Sequence, residues 1–165
     1  MQEEREKFEK FLVRMENDKR MKQTFKNCVS GQSFFIHKAL LYVPGWVSQY
    51  NKEEFCCVIG MFALHPIHSK KYVNFGHSSQ YLRLRGESID KRFEKILTAK
   101  DSEKTFVVKN FLSLLKKDRT GIDYYQLFKD FCHWDHPDHF VQDKWAEKFW
   151  KLDTEKLLKE SVDEN

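Results

Sequence analysis

The chain has 165 residues, of which 41% are apolar and 15% aromatic, enough for one buried core and too short for several domains. Only 6 Gly and 3 Pro beside 33% charged residues exclude a low-complexity chain and weigh against a turn-rich β-sandwich, so the expected class is all-α. A net charge of +4 and a pI near 8.8 are too mild to identify a nucleic-acid binder by themselves, so the placement of charge must be read.

Met1 to Lys10 is mostly charged and carries no signal-peptide pattern, and the longest apolar run, Phe55 to Leu64, is too short to span a membrane. A soluble, cytoplasmic protein is expected. The expected architecture is a compact multi-helix bundle of about eight helices forming a single domain over residues 1–165, with two small lobes over about 1–100 and 101–160 as an open alternative. Four cysteines, Cys28, Cys56, Cys57 and Cys132, lack a paired C-x-x-C spacing and read as buried reduced thiols.

Glu3 to Met15 places Phe8, Phe11, Leu12 and Met15 on one helical face. Asp18 can cap a second helix in which Met21, Phe25 and Cys28 form the apolar stripe, with Lys19, Lys22 and Lys26 on another side and Gly31 as the stop. Ser33 to Tyr42 forms a third segment ending before Pro44 and Gly45, and Asn51 can cap a nearly all-round apolar, central helix from Lys52 to Leu64. Pro66 and Gly76 act as breakers around a surface loop that carries Lys70 and Lys71. A short helix from Ser78 to Arg85 follows. Ser88 can cap the next, with Ile89, Phe93, Ile96 and Leu97 inward, and Asp101 or Ser102 starts another with Val107, Phe111, Leu114 and Leu115 inward.

The C-terminal third is the most strongly marked. Asp123 and Gln126 have capping-box spacing and Ile122 and Leu127 have hydrophobic-staple spacing, so a helix begins at 123 or 124 with Tyr124, Leu127, Phe128 and Phe131 inward. Pro137 breaks it and Asp138 can cap a last helix with Val141, Trp145, Phe149 and Leu152 on one stripe.

His133, His136 and His139 with Asp135 and Asp138 resemble a metal cluster, but the group straddles a helix end, so the rings diverge and no metal or other cofactor is expected. His65 and His68 flank Pro66 and read as a polar turn before a phosphate contact. His77, Ser78 and Ser79 lack a nucleophile elbow, and no P-loop or dinucleotide fingerprint occurs. No catalytic residue is assigned.

Charge placement is what remains. Lys70, Lys71, Arg83, Arg85, Lys91, Arg92 and Lys95 face only Glu87, Asp90 and Glu94 in one stretch, and Arg14, Lys19, Arg20, Lys22 and Lys26 form a second cluster. Helical cations of this kind position phosphates without reading sequence; an ordinary solvated surface is the competing reading.

The order of residues also resembles a known family. Gly121, Ile122, Asp123, Tyr124, Leu127, Asp130 and Trp134, followed by Val141, Gln142, Trp145, Ala146, Phe149 and Trp150, look like the C-terminal signature of the CasB family, the small subunits of the type I-E CRISPR surveillance complex, Cascade. Upstream, Met61 to Pro66, Asn74 to Gly76 leading to Leu82, and Ser88 to Phe93 leading to Leu97 extend the resemblance over roughly residues 20 to 152. It implies an all-helical, non-catalytic protein present as two copies, contacting the backbone subunits, the large subunit and guide RNA. It also implies a basic surface that holds target and displaced DNA strands and stabilises the R-loop. Lys91 and Arg92 stand where the family often has two arginines, whereas Lys26 and Asn27 offer one cation where two are common. The site residues expected to contact nucleic acid are Lys19, Arg20, Lys22, Lys26, Lys70, Lys71, Arg83, Arg85, Lys91, Arg92 and Lys95. The alternatives are a helical adaptor acting through protein contacts alone, and a hydrolase using a metal at His133, His136 and His139.

Overall fold

The computed structural model describes the backbone of residues 1–30, 34–84 and 88–163, with the side chains of those spans apart from 34–35 and 152–163. The helices are α1 (Gln2–Glu16), α2 (Lys19–Cys28), α3 (Phe34–Ala39) running into a 3-10 turn at Leu40–Tyr42, α4 (Lys52–Leu64), α5 (Phe75–Leu84), α6 (Asp90–Leu97), α7 (Lys104–Lys117), α8 (Tyr124–Cys132) and α9 (Phe140–Asp163). The fold is all-α, as the composition predicts. Gly31, Ser33, Arg85 and the Leu152 side chain lie outside the described residues.

Two caps fall where the sequence puts them. Asp18 accepts from the Arg20 and Met21 amides at 3.1 Å, and Asp123 accepts from the Gln126 amide at 3.0 Å, satisfying N–H groups that the first turn leaves unpaired. The Gln126 side chain completes no box, because it donates to Asp130 at 2.9 Å instead. Asp123 is simultaneously gripped by Arg5 of α1, whose guanidinium donates to both carboxylate oxygens at 3.0 and 2.9 Å.

Other helix starts differ from expectation. Asp138 is not the cap of α9: its own amide is bound to the His136 ring, and the helix begins at Phe140 after His139 turns through a φ of 52°. Ser88 does not cap α6, which starts one residue after Ile89, and Asp101 turns back to hold Lys104 at 2.6 Å while α7 begins at Lys104. Asn51 occupies the N-cap of α4 without a side-chain bond. Gly76 is no breaker. It lies in α5, where a Cβ would sit 2.1 Å from the Trp145 carbonyl oxygen, so only glycine lets α5 and α9 cross this closely.

α4 is the central helix, with every residue from Phe55 to Ala63 buried. α1, α2, α3 and α8 gather about it, and its Phe55 meets Phe8 and Phe128 edge-on at 5.9 and 5.5 Å. α5 and α6 pack against α9 and α7, and α7 reaches α4. Phe93 of α6 stacks on Phe149 of α9 with centroids 3.9 Å apart. The apolar interior runs from Phe8 to Trp145 and Phe149, with α8 packed on α1 and α4 and α5 packed on α9.

The 65–74 connection is more tightly held than a surface loop. His68 forms an isolated parallel bridge with Ile122, with Ser69 N–H on the Ile122 carbonyl and Ile122 N–H on the Ile67 carbonyl, each at 3.0 Å. His65 is buried with its ring on the Thr120 carbonyl at 2.6 Å, and burial holds its imidazole below the usual pKa. All four cysteines are free thiols, three of them buried; burial pushes the Cys57 and Cys132 thiols up to about 12.

Candidate nucleic-acid interface

α2 buries Met21, Thr24, Phe25 and Cys28 against α4, which turns the remaining positions outward. Lys19, Lys22 and Lys26 consequently project within about 60° of one another on the face away from the core, with Arg20 beside them. Lys19 and Arg20 are exposed, Lys22 and Lys26 half-buried, and none of the four makes an ion pair among the described residues. Lys19, Arg20 and Lys22 lie in the first turn of α2, at the end of the helix dipole that repels positive charge, with the Asp18 cap as the acidic group there, while Lys26 lies in the last turn. Charge set against the dipole is a local inconsistency, and such departures concentrate at functional sites.

α6 carries a second set of cations. Phe93 and Ile96 point into the core, so Lys91, Arg92 and Lys95 stand exposed, again without an ion pair among the described residues. Their helix is anchored by Asp90, whose Oδ1 accepts from Arg83 Nε at 3.0 Å and whose Oδ2 faces the Trp150 indole N–H at 3.5 Å. Arg83 itself is only 18% exposed and lies over the Phe149 ring at 5.5 Å, so its side chain ties α5 to α6 and α9.

Lys70 is exposed but held by Glu9 at 3.2 Å, in a cluster where Glu9 also takes the His68 ring at 3.1 Å. Lys71 stands over the Tyr72 and Tyr81 rings, 5.6 and 5.5 Å from their centroids, on an aromatic cluster completed by His77. Burial, then the charges of Lys148 and Lys71, keep the His77 imidazole below its ordinary pKa. Arg85 lies outside the described residues. The structure therefore gathers the α2 cations on one helix face and the α6 cations on another, carried by different packing neighbours.

Sequence reasoning found α7 and the inward Phe111 and Leu115, and missed the grooves along its outer side. Val108, Phe111, Leu112 and Leu115 are its buried side, while Val107 and Leu114, expected inward, line an open groove with Phe106 exposed at its edge. Lys109 and Lys116, seven residues apart on the same helix, line a second groove beyond it. The exposed aromatic at 106, adjacent to the predicted inward Val107, was the available signal. Lys104 carries no external role, being 4% exposed with Asp101 and Glu54 on its ammonium at 2.6 and 3.5 Å.

The histidine group is dispersed. His133 sits on the Lys129 carbonyl at 2.8 Å, His136 receives the Asp138 amide, and among the described residues no three His, Cys, Asp or Glu side chains are grouped to hold a metal ion. No helix among the described residues is long and apolar enough to cross a membrane.

A single helical core carrying separate basic helix faces defines the class, an all-α protein. The family model for CRISPR-associated protein Cse2 matches residues 25–150, and the chain belongs to that family. The fold is similar to that of CasB from Thermus thermophilus, with a TM-score of 0.68 at 21% identity over 89% of this chain and 97% of that one. It is also similar to a second structure from Thermus thermophilus, a CRISPR-associated protein of the Cse2 family, with a TM-score of 0.70 at 21% identity and the same coverage. M. ruber CasB gives a TM-score of 0.67 at 19% identity over 89% of this chain and 94% of that one. No curated protein matches the sequence significantly.

Proposed function

We propose that the chain is a non-catalytic small subunit of a type I-E CRISPR surveillance complex, Cascade, in the cytoplasm. In this role it works beside a second copy and next to the backbone and large subunits, where its basic faces hold guide RNA and the opened DNA strands. The observation that carries this reading, within a CRISPR-associated family, is the set of cations projecting from α2 and α6 without an ion pair among the described residues. R-loop formation exchanges one duplex for another of nearly equal stability, so sequence-independent phosphate contacts worth a few kcal/mol in total decide how far it proceeds.

Lys19, Arg20, Lys22 and Lys26 on α2 and Lys91, Arg92 and Lys95 on α6 are assigned direct phosphate contact, with Lys70 and Lys71 contributing from the 65–74 segment. Arg83 is assigned a positioning role, because its bond to Asp90 fixes the start of α6 and with it the aim of Lys91 and Arg92. The test is Lys91→Glu with Arg92→Glu in a reconstituted complex. Assembly is expected to survive, since both side chains are exposed, while R-loop formation falls about tenfold or more as two phosphate contacts become repulsive. Unchanged R-loop formation in an intact complex would contradict the assignment of this face.

A further inference from the structure

The cations of α6 do not stand on a flat surface. Between α6 and α7 lies a groove of about 550 Å³, the size of a small-molecule site, in which Arg92 and Lys95 share the lining with Phe106, Val107, Asn110 and Leu114. Phe106 is 66% exposed, an aromatic ring left in solvent beside two cations. The wall combines an apolar floor, a ring, an amide able to donate and accept, and positive charge, which is the combination that unpaired nucleotides require.

We propose that this groove is a base pocket for single-stranded nucleic acid: an extruded base lies against Phe106 and the apolar floor, Asn110 meets its edge, and Arg92 and Lys95 hold the adjoining phosphates. The proposal rests on the nucleic-acid reading of α6 and adds to it a site that takes the base itself. Asn110 also lines the next groove, with Lys109 and Lys116, so the strand leaving the pocket runs along α7 towards further cations. Phe106 and Lys116 are ten residues apart, about 15 Å along the helix, so one strand can occupy both grooves. Stacking on Phe106 tolerates any base, as a subunit without a base code requires. A single carboxylate, Glu103, stands in the wall and weakens phosphate binding there.

The test uses the full chain with two labelled probes of equal length and charge, an oligothymidine and an abasic oligodeoxynucleotide, in fluorescence anisotropy at low salt. Wild type is expected to bind oligothymidine about tenfold more tightly than the abasic strand. Phe106→Ala is expected to erase that difference while leaving abasic affinity and salt dependence as in wild type, and Arg92→Glu to weaken both probes. Phe106→Ala should melt with the wild type, because the ring is exposed. Equal affinity of wild type for the two probes, with Arg92→Glu still weakening both, would overturn the pocket and leave the basic-face reading standing; it is also the outcome expected of a groove shaped for an acidic peptide. Probes bound equally by wild type and Arg92→Glu, or not bound at all, would overturn both.

Discussion

Asp130 lies 8% exposed between α8 and α9, its Oδ2 accepting from the Trp145 indole N–H at 2.7 Å and its Oδ1 from the Gln126 amide at 2.9 Å. Burial outweighs these two bonds and pushes its carboxyl up to about 6. The folded chain therefore binds this proton more tightly than the unfolded chain, and the contribution of Asp130 to stability falls as pH rises through the window from about 4 to about 6. The swing is about 3 kcal/mol. Asp130→Asn should remove it, so urea unfolding of wild type and variant at about pH 4 and about pH 7 should show a smaller difference for the variant; equal differences would mean the carboxyl titrates normally in the fold. The sequence marks Asp130 as a family position but not as a buried acid, since the indole that holds it comes from a helix 15 residues away. Gly76 fails for the same kind of reason: its lack of a Cβ is used against the Trp145 backbone, and a one-dimensional reading sees only a breaker. Gly76→Ala should cost about 3 kcal/mol through forced separation of α5 and α9, read as a fall in the urea midpoint.

At the scale of the helix, the interior was legible wherever a stripe is long. α1, α4 and α8 follow their expected faces, and the Asp18 and Asp123 caps hold because each finds its N–H donors in the first turn of its own helix. The starts of α6, α7 and α9 were less legible: Ile89 takes the N-cap of α6, Asp101 is drawn away by Lys104, and the chain turns at His139 before α9 begins at Phe140. α7 shows the limit of periodicity: Val107 and Leu114 pack against the core only at its margin, where they also line the groove, and Phe106 is left outside. α2 carries its own prediction. Lys19→Glu with Arg20→Glu replaces cations with anions at the positive end of the helix dipole, so the isolated chain should gain about 0.5–1 kcal/mol of stability in urea unfolding even as R-loop support is lost. A loss of stability would mean these lysine and arginine side chains hold the fold and are not kept for a ligand.

The whole molecule is a continuous aromatic core that turns two sets of cations outward, one on α2 beside α4 and one on α6 beside α7 and α9. The all-α class and the Cse2 family were legible in the order of core residues and caps, because these are set by local spacing that survives low identity. The division of labour among the cations was not legible, because it depends on which carboxylates fold back: Glu9 takes Lys70 and Asp90 takes Arg83, while Lys91, Arg92 and Lys95 remain unpaired among the described residues. The central claim is that these three cations neutralise phosphates during R-loop formation, and counterion release makes that claim quantitative. The measurement is the salt dependence of R-loop formation by the assembled complex, compared between wild type and the triple charge-neutral variant Lys91→Gln, Arg92→Gln, Lys95→Gln. Loss of single-strand contacts should reduce the slope of log K against log salt by about 0.7 for each phosphate released, roughly two in all. An intact complex whose slope is identical to that of the wild type would contradict the account.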